Sequence, residues 1–262
     1  MMQFKQLNLS LQEITSKVPG IFSINMNTPD GRININGGKM RKAASLAKLF
    51  ILVEAFRQSQ DGKLSLEKQI HIEKEHLAYG AGVITYLTGS RVFTYRNLIE
   101  LMIIVSDNTA ANLMMDVVDR HNVNKLAKQI GCTKTVINRK FMDVTAQQVG
   151  KENYTSANDV IKLLQLISKR NNILTDHSRT QIMNILSDQQ LNHKLPSNIQ
   201  ENHHITFYHK TGELPGVEHD AGIVVNKQKL VEVAVLSEGW VEAGTAQSYI
   251  SEISKVLIQY MK

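Results

Sequence analysis

Strand-like alternation is confined to the two ends of this chain, and that restricts its fold more than any other feature. Residues 21–27 and 32–36 alternate apolar and polar side chains around Pro29-Asp30-Gly31, the pattern of a β-hairpin. Strand character returns only at 205–209, 221–226 and 230–237, with a turn at 227–229. Between these ends, apolar residues recur at helical spacing: Leu49, Leu52, Val53 and Phe56; Leu98, Leu101, Met102 and Val105; Leu113, Met114, Val117 and Val118; Val160, Leu163, Leu164 and Ile167. Helices also flank the strands. One carries Phe4, Leu7, Leu11, Ile14 and Val18 and is stopped by Pro19-Gly20. Another carries Tyr249, Ile250, Ile253, Val256, Leu257 and Tyr260. The expectation is a mixed α/β (α+β) fold, with one antiparallel sheet assembled from both termini and flanked by helices, and an all-helical part inserted between. The α/β part would comprise residues 1–42 and 195–262 and the helical part 43–194, with the ligand cleft between them.

A chain of 262 residues, 42% hydrophobic and 21% charged, can bury a large core without covalent staples. Its one cysteine, Cys132, excludes an intramolecular disulfide framework and a Cys-rich zinc site, and is expected as a small buried hydrophobe. No apolar run reaches the roughly 18 residues of a membrane helix, so no membrane span is expected. The first residues lack the apolar core of a signal peptide. That implies a cytoplasmic protein if the sequence is complete and an exported one if a leader was removed. Lysine and arginine outnumber aspartate and glutamate by 30 to 24, which suits anionic ligands. The charge is dispersed, with Lys39, Arg41 and Lys42 the densest cluster, so nucleic acid is not an expected partner; a monomer acting on a small molecule is. His71, Glu73, Glu75 and His76 lack metal-site spacing and read as a solvated segment; no metal or cofactor is expected. His203, His204 and His209 read as surface. Tyr79 and Tyr86 fit either a cleft wall or the core.

Three short elements carry chemistry. In Ser45-Leu46-Ala47-Lys48, at a predicted helix start, serine and lysine three residues apart share a helix face. A serine hydroxyl becomes a nucleophile when a base takes its proton, and lysine is such a base when burial or another cation depresses its pKa. In Ser106-Asp107-Asn108, between two helices, Ser106 offers a proton relay and Asn108 an amide to hold Lys48 or a substrate. The same tripeptide also reads as a helix cap. In Lys210-Thr211-Gly212, read as ending a strand, a cation and a hydroxyl suit a carboxylate, and glycine permits close backbone approach.

In this order, the three elements resemble those of the serine penicillin-recognising enzymes, and within them class A β-lactamases and DD-peptidase-like proteins. Ile103-Ile104-Val105, Thr109-Ala110-Ala111-Asn112 and the stretch TGELPGVEHDAGIV at 211–224 extend the similarity over nearly the whole chain. The resemblance implies that Ser45 is acylated by a β-lactam or related acyl compound, with Lys48 as base or relay. It implies that Ser106 protonates the leaving nitrogen and that Asn108 positions Lys48 and the substrate. Lys210 and Thr211 would bind a substrate carboxylate, Gly212 would let it approach, and the backbone N–H groups of Ser45 and Glu213 would form an oxyanion hole.

Two departures stand out. Class A enzymes carry a loop glutamate that activates the deacylating water. Counting back without gaps from Thr155-Ser156 places Lys140 there and Val144 at the loop's asparagine. Asp143 is the candidate replacement. Ala221 stands where the family often has a carboxylate-anchoring arginine. The expectation is therefore a β-lactamase-like serine hydrolase of cyclic amides with slow deacylation. The alternatives are a penicillin-binding sensor that stays acylated, or a peptidase or esterase on another acyl substrate.

Overall fold

The computed structural model describes residues 2–200 and 204–262. In chain order the elements are α1 (Phe4–Ser16), β1 (Ile21–Thr28), β2 (Gly31–Ile35), β3 (Arg41–Lys42), α2 (Ala47–Gln60), β4 (Gln69–His71), β5 (Val92–Thr94), α3 (Tyr95–Ile104), α4 (Asn108–Val118), α5 (Arg120–Gln129), α6 (Val144–Gln148), β6 (Tyr154–Thr155), α7 (Ala157–Ser168), α8 (Asp176–Ser187), β7 (Thr206–Leu214), β8 (Val217–Val225), β9 (Leu230–Glu238) and α9 (Thr245–Met261).

The main sheet is antiparallel, in the order β2-β1-β9-β8-β7, so the two chain ends meet where β1 pairs β9. Thr28 closes the first hairpin opposite Gly31: its hydroxyl donates to the Gly31 carbonyl at 2.9 Å and accepts from the Asp30 N–H at 3.2 Å. Both faces of the sheet are covered, as burial along β8 and β9 requires. On one face Phe22, Ile24, Val233 and Val235 pack with Leu7 and Leu11 of α1 and Ile253 and Leu257 of α9. On the other, Ala221, Ile223, Ala234 and Leu236 join the core of the helical region. At the centre of that core, α2 is buried on every side from Ala47 to Phe56, including Lys48 and Glu54. No helix among the described residues is long and apolar enough to cross a membrane.

The C-terminal strands run further than their hydrophobic pattern predicts. β7 continues through Lys210-Thr211-Gly212 to Leu214, so the third element lies inside a strand rather than at its end. A turn at Pro215-Gly216 follows, with Gly216 at φ +73°, and β8 begins at Val217. Glu218, His219 and Asp220 disguise that strand as a loop. All three are buried there beside polar partners: Asp220 Oδ1 is 2.9 Å from His209 Nδ1, His219 bridges the Lys42 carbonyl and the Ser237 N–H, and Glu218 Oε1 accepts the Gly244 N–H at 2.6 Å. His209 is thus 1% exposed and not a surface residue; His204 is exposed, and His203 lies outside the described residues.

Candidate active site

Ser45 sits in a short 3-10 turn (Ala44–Leu46) that leads into α2, and Lys48 lies in the first turn of that helix. Ala44, just before the serine, has φ +46°, a left-handed conformation that alanine adopts only under constraint. The constraint is β7, which runs against this turn. A Cβ on Gly212 would lie 3.3 Å from Ser45 N and from Ala44 Cβ, so glycine lets the strand and the nucleophile's backbone approach. Ser106 is also left-handed, at φ +58°. It is held by Asp107, whose carboxylate caps α4 at Ala110 N (3.0 Å) and accepts the N–H groups of Val83 (2.7 Å) and Ile84 (2.9 Å).

These elements bring one lysine from each side onto Ser106. Lys48 Nζ is 3.1 Å from Ser106 Oγ, 2.6 Å from the Ser106 carbonyl and 2.8 Å from Asn108 Oδ1. Lys210 Nζ is 3.0 Å from the same Ser106 Oγ and donates to the Thr211 carbonyl at 2.8 Å. Asn108 donates its amide N–H to the Tyr79 carbonyl at 2.9 Å, which fixes its oxygen toward Lys48. Both amines are wholly buried. Burial, and then the nearby Lys210 cation, push Lys48 well below the ordinary lysine range against the opposing pull of Asp107. Burial lowers Lys210 to about 7, with Asp220 opposing. A neutral Lys48 amine is a proton acceptor, and a hydroxyl between two amines can pass a proton between them.

A cleft of about 460 Å3 opens onto Ser45 and Asn108 and is bounded by Arg139, Phe141, Met142 and Glu213. Here the structure corrects the loop assignment. Lys140 points away from Ser45 to an exposed ion pair with Asp116 at 2.6 Å. The residue that faces Lys48 is Phe141, whose ring centre lies 4.6 Å from Nζ. Asn112 of α4 pins it, accepting the Phe141 N–H at 2.7 Å and donating to its carbonyl at 3.0 Å. The neck of the loop is closed by a buried ion pair between Arg139 and Glu152 (2.7 Å), and by Asn153, which accepts the N–H groups of Asn138 and Arg139. Counting without gaps missed this register because the clamp, and not the distance from Thr155, sets it. Asp143 is not brought to Ser45 either: its carboxylate caps α6 at Ala146 N (2.9 Å) and lines a separate groove with Lys140 and His76.

Sequence reasoning also missed Lys194. This lysine, from the segment before β7, is wholly buried and donates to Glu213 Oε1 at 2.7 Å, beside the strand pair where Ala221 leaves the family's arginine absent. Only a basic residue before Leu195-Pro196 signalled it. Tyr79 and Tyr86 are 70% and 72% exposed and pack neither the core nor the Ser45 cleft. Cys132 is buried, and burial pushes its thiol up to about 12. No cluster of three metal-ligating side chains occurs among the described residues.

The fold sets strands from both termini around a helical insertion and brings Lys48 and Lys210 together on Ser106. The chain belongs to the Beta-lactamase enzyme family, whose sequence model matches residues 5–261. A β-lactamase from Sphaerobacter thermophilus DSM 20745 superimposes with a TM-score of 0.90 at 23% identity, covering 99% of this chain and 98% of that one. PBP-A matches with a TM-score of 0.87 at 25% identity, over 98% and 96% of the two chains. An ancestral class A β-lactamase matches with a TM-score of 0.86 at 20% identity, over 97% and 100%. No curated protein sequence matches the chain.

Proposed function

We propose that the protein is a serine hydrolase that forms an acyl-enzyme at Ser45 with β-lactams or related acyl compounds, and that it releases the acyl group slowly. Ser45 Oγ attacks the carbonyl carbon while neutral Lys48 takes the hydroxyl proton. The N–H groups of Ser45 and Glu213 bind the developing oxyanion. The C–N bond then breaks, and Ser106 Oγ protonates the leaving nitrogen, its own proton replaced through Lys48 or Lys210. The observation that carries the reading is the convergence of Lys48 and Lys210 on Ser106 Oγ, at 3.1 and 3.0 Å.

Slow release is supported by the phenyl ring of Phe141 against Lys48. A phenyl ring cannot take a proton from water, and a positioned general base contributes about 10²–10⁴-fold. Of the acids lining the cleft, Glu152 is committed to Arg139 and Glu213 to Lys194. This favours the second reading, in which the acylated form is the functional state of a binding protein or sensor. An acyl-enzyme complex with penicillin-G is known for a point mutant of PBP-A. Mass spectrometry after mixing with benzylpenicillin tests the proposal. A one-to-one adduct at Ser45 that forms faster than it decays is expected; turnover with no accumulated adduct would refute slow release, and absence of any adduct with both benzylpenicillin and its methyl ester would refute the acyl-enzyme.

A further inference from the structure

The Lys-Thr-Gly end of the cleft carries a charge arrangement that acyl transfer does not use. Alternate residues of a strand face one side, so Thr211 and Glu213 share a face of β7. The register sets Glu218 of β8 directly opposite Glu213, and like charges so placed repel. Lys194 lies between them, with Nζ 2.7 Å from Glu213 Oε1 and 3.8 Å from Glu218 Oε2. Glu218 Oε1 accepts the Gly244 N–H at 2.6 Å, but its buried Oε2 has no hydrogen-bond partner. One buried lysine thus serves two carboxylates; it hydrogen-bonds the more exposed of them and the His219 carbonyl (3.4 Å). His193 Nε2 is 3.1 Å from the same Glu213 oxygen. Partial burial works against the Glu213 charge, but Lys194 and then His193 hold the carboxyl below its ordinary range.

Position makes this charge matter. Glu213 lines the cleft with Ser45 and its side chain is 50% exposed, while Lys210 and Thr211 are 0% and 2% exposed and do not line it. Of the charged side chains of β7, Glu213 is the one presented to the cleft. Arg139 and Glu152, the other charged residues of the cleft, neutralise each other.

We propose that Glu213 is a charge filter: it selects acyl substrates whose group at the Thr211 end of the cleft is uncharged, and disfavours those carrying a carboxylate there. Lys194, the cation beside Glu213, is buried and already occupied by the two carboxylates. Rejection by a built-in like charge is a recognised route to specificity. The inference rests on the acyl-enzyme reading and narrows its substrate class.

Benzylpenicillin and its methyl ester differ at this end only in charge. Their rates of Ser45 adduct formation are to be measured by mass spectrometry on the full chain, on Glu213→Gln and on Glu213→Ser. The acid-to-ester rate ratio should rise about tenfold or more in both variants, since like-charge juxtaposition in a binding site is costly. The ratio is internal to each protein, so a general loss of activity does not imitate the effect. Adducts that form with an unchanged ratio would overturn the filter and leave the acyl-enzyme standing. No Ser45 adduct from either compound in any of the three proteins would overturn both.

Discussion

On one side of Ser45, Lys48, Ser106, Asn108 and Lys210 form a hydrogen-bonded block, none of them more than 5% exposed. On the other, the segment from Lys140 to Lys151 turns Met142, Val144 and Val149 outward, at 51%, 56% and 71% exposure. The block stands on α2, α4 and β7, regular elements whose positions follow from the two cores. The loop is tied at its neck by Arg139, Glu152 and Asn153, and to α4 by Asn112 and by the exposed Lys140–Asp116 pair. The groups proposed to make the acyl-enzyme lie in the hydrogen-bonded block, and the loop wall presents Phe141 to Lys48. On the proposed function, formation and release of the acyl group rest on separate parts of the molecule and are open to change one at a time.

The sharpest break of that comparison is in the hydrogen-bonded block. Ser45→Ala should abolish the penicillin adduct, and Lys48→Ala should slow its formation by on the order of 10³-fold, read by mass spectrometry. An adduct persisting in Ser45→Ala would show that another residue is acylated. In the loop wall, Phe141→Glu should speed adduct decay by about 10²–10⁴-fold, whereas Lys140→Glu should leave decay unchanged, because that side chain faces Asp116. Equal effects of the two substitutions would mean that Phe141 does not hold the register next to Lys48.

Removing one partner of the neck pair should act on stability instead. Arg139→Ala leaves Glu152 buried and uncompensated, and should cost about 3–5 kcal/mol in denaturant unfolding. A loss below about 1 kcal/mol would show that the clamp does not hold the loop. The smallest effect is one of pH. Burial lowers Lys210 to about 7, so an attraction of Lys210 for a substrate carboxylate, if it plays the role the resemblance implies, is present at low pH and lost as pH rises through about 7. Adduct formation with benzylpenicillin should fall several-fold over that window, while its uncharged methyl ester should show no such fall. A falling limb common to both compounds would place the titration elsewhere.

The sequence by itself determined the sheet from both termini and the helices between them, because periodicity is a local property of the chain. Ser45, Lys48, Ser106, Asn108 and Lys210 were legible as one set only through the resemblance of three short elements, in order, to the serine penicillin-recognising enzymes. Tertiary structure decided the rest. Phe141 faces Lys48 because Asn112, 29 residues away, holds its backbone, and because Arg139 and Glu152 close the loop across 13 residues. Lys194 reaches Glu213 across 19 residues, and β8 hides its charged residues only because His209, Lys42 and Ser237 receive them. Counting along the chain cannot find such partners. A buried charge is tolerated only where another element supplies its counterpart, and which element does so is settled when the cores pack.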